Sequence, residues 1–64
     1  MNFLLEALVK RLEGDIEVAK ANIYVYQKAA VGVGEHSDIV ETIEKEVGKI
    51  AEAQDKIDTI KNLK

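Results

Sequence analysis

The stretch AAVGVGEHSDIVE, residues 29–41, divides a 64-residue chain almost in half, and the rest of the sequence takes its meaning from it. Gly32 and Gly34 are followed by Glu35, His36, Ser37 and Asp38, a set that reads either as a ligand-holding loop or as a turn. As a turn, every polar residue except His36 has a structural task. Gly32 or Gly34 takes the left-handed conformation that closes a first helix. Ser37 is a good N-cap for a second helix, its hydroxyl accepting from an early backbone N–H. Asp38 and Glu41 put negative charge in the first turn, where the helix dipole favours it.

The chemical alternatives fit less well. A phosphate-binding loop ends in Lys followed by Ser or Thr. No lysine lies between Lys28 and Lys45, and Glu35, Asp38 and Glu41 would repel an anion. Glu35, His36, Asp38 and Glu41 are metal-ligating residue types, yet their spacing matches no established metal motif. Ser37 is the only serine, and His36, its neighbour in sequence, is poorly placed to act as its base. No strand-to-helix nucleophile turn surrounds it. The stretch is therefore taken as a turn with its cap, carried by Gly32, Gly34, Ser37 and Asp38. No catalytic, cofactor-binding or metal-ligating residue is assigned, and the chain is expected not to be an enzyme.

Outward from the turn, both halves carry a seven-residue apolar rhythm. Leu5, Leu12, Ala19, Tyr26 and Val33 interleave with Val9, Ile16, Ile23 and Ala30, so that spacings of four and three alternate over about four repeats. In the second half Ile43, Ile50 and Ile57 interleave with Ile39, Ala53 and Ile60. Glu46 is the one polar residue in the series, and Val40 and Val47 widen the stripe. NIYVYQ, residues 22–27, contains good strand formers, but a lone strand has no partner here and the heptads run through Ile23 and Tyr26 unbroken. The pattern predicts helices over about 2–31 and 37–62, a turn at about 32–36, and one domain spanning 1–64. At about 1.5 Å per residue the helices measure roughly 45 and 39 Å. Similar lengths and a short link make an antiparallel hairpin. Acid-then-base pairs at Glu6–Lys10, Glu41–Lys45 and Glu52–Lys56 support the helices on their solvated faces. Gly14 and Gly48 fall on outer positions.

Composition narrows the classes. A domain this small is marginal alone and relies on disulfides, metal, very good helix packing or oligomerisation. There is no cysteine, and the single histidine cannot build a zinc site without several carboxylates. The net charge is −3 with no basic tract, so nucleic acid is not expected as a partner. The opening FLLEALV run is too short to span a bilayer and does not read as a signal peptide. Lys10 and Arg11 are thin cationic support for membrane-surface contact. A cytoplasmic location is expected.

Oligomerisation remains, and helix 1 suggests how. Beside its main stripe lies a second apolar set, Leu4, Leu8, Val18, Val25 and Ala29. Tyr24 points away from the core stripe and is added as a recognition residue, since exposed tyrosines favour interfaces. Helix 2 has one narrower stripe, so a lone hairpin leaves helix 1 partly bare. The expected architecture is all-α: two hairpins paired through helix 1 into a four-helix bundle, a homodimer. The alternative is a small regulator that offers an amphipathic helix to another protein.

The run GVGEHSDIVETIEKEVGKIAEAQDKI, residues 32–57, resembles a pattern in small uncharacterised proteins of tailed marine phages and marine metagenomes. There a glycine–aliphatic–glycine–Glu–His turn precedes an acidic helix that opens with Asp-Ile. The resemblance covers the turn and helix 2, while helix 1 matches only in character. It implies a short helical hairpin and a phage origin, with the cytoplasm of a bacterial host as its location. It implies no activity and transfers no functional residue.

Overall fold

The structure, a computed structural model, describes residues 2–30 and 37–63, the side chain of Ser37 excepted. It contains two helices, α1 (Phe3–Ala29) and α2 (Ser37–Lys61), packed against each other as a rod with extents of 51 × 14 × 10 Å. Early residues of α1 meet late residues of α2 in one cluster, Val9, Leu12 and Ile16 with Ala53, Ile57 and Ile60, so the hairpin is antiparallel. Leu5 and Ile50 pack against this cluster from its margins.

The boundaries follow from capping. Asn2 is not helical but extended, with φ −79° and ψ 168°, and its side-chain oxygen accepts from Leu5 N at 2.9 Å. This is an N-cap, worth about 1 kcal/mol, and it places the helix start one residue later than the periodicity alone suggested. At the other end Ala30 closes α1, its N–H donating to the Tyr26 carbonyl at 3.0 Å. Lys28 supplies positive charge to that last turn, as the dipole favours. α2 opens at Ser37 with Asp38 in its first turn, and it ends at Lys61 with Asn62 in the closing turn. The expected glycine stop falls on Gly32 and Gly34, which lie outside the described residues together with Glu35 and His36; Ser37, expected as the N-cap, is the first residue of α2, and its side chain also lies outside the description.

The heptad residues are the ones that meet. Val9, Leu12, Ile16 and Ala19 on α1, and Glu46, Ala53, Ile57 and Ile60 on α2, are the buried positions, and every one belongs to the series read from sequence. Burial is graded along the rod. The apolar buried residues lie toward the chain ends, whereas Ile23, Tyr26, Ala30, Ile39 and Ile43, nearer the turn, are half-buried. Among the described residues no side chain is less than 2% exposed, because each layer of a two-helix core has solvent on both flanks.

Two expectations change. Val40 and Val47 do not widen the α2 stripe in the hairpin; both are more than half exposed, because a single facing helix covers only the heptad seam. Of the three anticipated i,i+4 ion pairs, only Glu52–Lys56 forms, at 3.1 Å. Lys10 turns instead to Glu13 at 3.5 Å, Lys20 pairs with Glu17, and no ion pair joins Glu41 to Lys45 among the described residues. Exposed pairs of this kind are worth only a few tenths of a kcal/mol, so the choice between neighbouring partners is nearly free.

Gly14 and Gly48 both face open space: a Cβ on either would meet nothing within 4 Å. They do not mark a close helix approach within the hairpin. Replacing either by alanine is expected to raise the unfolding free energy by about 1 kcal/mol, the helix-propensity difference, in urea titrations followed by helicity. A loss of stability would instead reveal a contact that needs the missing side chain. Ile57→Ala is expected to cost about 2–5 kcal/mol in the same assay, since Ile57 is the most buried isoleucine of the seam. A cost comparable to an exposed-site substitution would remove the seam as the core.

Candidate functional site

The features that the packing leaves unexplained lie along one side of the hairpin. Leu4, Leu8, Val18, Val25 and Ala29 are all exposed, with Val18 at 62% and Val25 at 60%. They recur at spacings of four, seven and ten, which places them in one stripe along α1, centred roughly 110° around the helix from the seam that faces α2. Arg11, Asp15 and Asn22 complete the stripe as its polar members. All five apolar residues are thus turned away from α2.

Tyr24 is exposed as expected, but it stands off the stripe, about 100° around the helix from Val25. Its ring is occupied locally: the Lys28 ammonium lies 5.1 Å from the ring centroid, a cation–π contact one helical turn along. Phe3 and Leu63, exposed near the chain ends, were not singled out from the sequence. The Gly32 and Gly34 part of the expected turn lies outside the described residues. Thr42, one turn into α2, donates its hydroxyl to the Asp38 carbonyl at 2.8 Å.

A groove of about 350 Å³ runs between the helices beside the stripe, lined among others by Asp15, Val18, Asn22, Glu46, Lys49 and Glu52. Glu46 is its distinctive member. It occupies a seam position of α2, where an apolar residue is the rule, and is 5% exposed. Asn22 Nδ2 donates to its Oε1 at 3.2 Å from across the helix pair, and Lys49 Nζ reaches the same oxygen at 3.3 Å. Its other oxygen, Oε2, is buried and has no partner. An unpaired buried acceptor costs about 1–3 kcal/mol, so the hairpin taken alone leaves this carboxylate half satisfied. The sequence flagged Glu46 as the polar interruption of the stripe. It gave no sign that Asn22 would be its partner, because Asn22 lies outside the seam and the two residues meet only when the hairpin closes.

Among the described residues no cluster of His, Cys, Asp and Glu has the geometry of a metal site, and no helix is long and apolar enough to cross a membrane. No protein-family model matches the chain, and neither a curated protein nor a solved structure is significantly similar to it.

The environment of Glu46 sets opposite expectations for two substitutions. Glu46→Leu restores an apolar seam and is expected to stabilise the hairpin by about 1–4 kcal/mol, as replacement of buried charges by well-packed apolar residues often does. Asn22→Ala removes the donor from α1 and is expected to destabilise by about 1–3 kcal/mol. Urea titration of both variants decides the matter. A Glu46→Leu protein less stable than the parent would mean that the carboxylate is better satisfied than its contacts here indicate.

Proposed function

We propose that the chain is a non-enzymatic structural or protein-interaction module that works by self-association, two hairpins pairing through α1 into a four-helix bundle. The observation that carries this reading is the second stripe of α1, whose apolar members Leu4, Leu8, Val18, Val25 and Ala29 are exposed on either side of a polar middle while the first stripe is spent on α2. Soluble chains rarely leave so extended an apolar face open unless it is an interface.

The surface area points the same way. The hairpin exposes 5035 Å², against about 4,100 Å² for a compact monomer of its 7.1 kDa mass. A second rod laid along α1 removes part of that excess and places the half-open core between more neighbours. α2 contributes little to such a contact: its positions on the same side of the groove include Thr42, Lys49 and Lys56. The pairing is therefore centred on α1.

Sedimentation equilibrium across micromolar to millimolar concentrations, with helicity followed in parallel, tests the reading. The parent chain is expected as a helical dimer. Val18→Asp combined with Val25→Asp, two exposed positions whose change leaves the seam intact, is expected to give a monomer or an unfolded chain. Assembly of that double variant at parental strength would remove the α1 stripe as the interface.

A further inference from the structure

The order of residues along the exposed stripe assigns a direction to the pairing, and the unsatisfied carboxylate assigns it a contact. Read from the N-terminus the stripe is Leu4, Leu8, Arg11, Asp15, Val18, Asn22, Val25, Ala29. Two copies laid parallel and in register would set Arg11 against Arg11 and Asp15 against Asp15, which is repulsive in both layers. Two copies laid antiparallel about a two-fold axis set Leu4 against Ala29, Leu8 against Val25, Arg11 against Asn22 and Asp15 against Val18, with alternating spacings of four and three kept throughout. In that arrangement the apolar layers lie at the two ends and the polar residues in the middle. No like charges share a layer.

We propose, resting on the self-association above, that the hairpins pair in this antiparallel two-fold register, and that Arg11 of each subunit completes the partner's Glu46. Three observations meet here. Arg11 is exposed and has no ion-pair partner among the described residues. Asn22, which the register sets opposite Arg11, is the residue that already holds Glu46 Oε1. Glu46 lines the groove beside that point, and its Oε2 is buried without a partner.

A guanidinium presents five donors in a fork that matches a carboxylate. The terminal torsion of glutamate is soft enough for both oxygens to turn toward it. Lys49 stands at the same carboxylate and opposes the incoming cation, while Glu52 in the groove wall and Asp15 one turn along the arginine's own helix offset it. A buried pair of this kind adds little net stability and acts chiefly to fix register and orientation. Here it selects the antiparallel pairing over apolar contacts that could slide by a heptad.

The chain contains no cysteine, so single cysteines report the geometry directly. Under mild oxidation, a mixture of Leu8→Cys and Val25→Cys chains is expected to give a disulfide-linked heterodimer, while each variant alone stays unlinked. In sedimentation equilibrium Arg11→Gln is expected to weaken dimerisation about tenfold, and much less when Glu46→Gln is already present, as coupled residues behave in a double-mutant cycle. Arg11 is exposed in the hairpin, so its change leaves the fold intact. Self-linking of Leu8→Cys would establish a parallel pairing and overturn the proposal. So would an equal effect of Arg11→Gln in both backgrounds. Either result leaves self-association standing, whereas a parent chain that is monomeric at every concentration removes both readings.

Discussion

A helix in a two-helix hairpin has one neighbour, and one neighbour covers one stripe. Most features of this molecule follow from that constraint. The seam of Val9, Leu12, Ile16, Ala53, Ile57 and Ile60 is buried because it faces the other helix. Val40, Val47 and the Leu4–Ala29 stripe are exposed because nothing faces them. The chain has no disulfide to staple so thin a core. Apolar surface that α2 does not cover remains along the second stripe of α1.

Glu46 marks a second compromise between stability and definition. An apolar side chain in its place would complete the α2 seam. The carboxylate instead interrupts the apolar core between its well-buried half and the half-buried layers nearer the turn. A polar residue at a seam position penalises any register in which its partners are absent. In the hairpin that partner is Asn22 from the opposite helix, with Lys49 on the same helix. A slip of α2 by one heptad would separate Glu46 from Asn22 and leave the charge buried among apolar side chains. The interaction thus sets how the hairpin closes, even though half of the carboxylate lacks a partner within it.

The two surfaces of α1 divide the work of the chain. One builds the fold and the other, on the reading proposed here, builds the assembly. Chemistry-bearing side chains on the described surface are mostly charged residues on solvated faces, paired weakly along their own helices. Tyr24 belongs to this local order through Lys28 rather than to the apolar stripe.

Periodicity alone determined that the chain is two helices, which residues form the seam, and which further residues of α1 remain outside it. These are consequences of spacing, and spacing is legible in a sequence because a helix places residues three, four and seven apart on one face. Capping was partly legible: Asn2 is a standard N-cap type, but only the backbone turn from extended to helical conformation showed that it serves as one. The choice among exposed ion pairs was not legible, since the competing partners differ by less than thermal energy would sort. The tertiary structure decided the status of Glu46, Asn22 and the groove between them. Residues twenty-four apart in sequence become neighbours only when the helices fold back at one register. That register is a property of the packed pair and not of either helix alone.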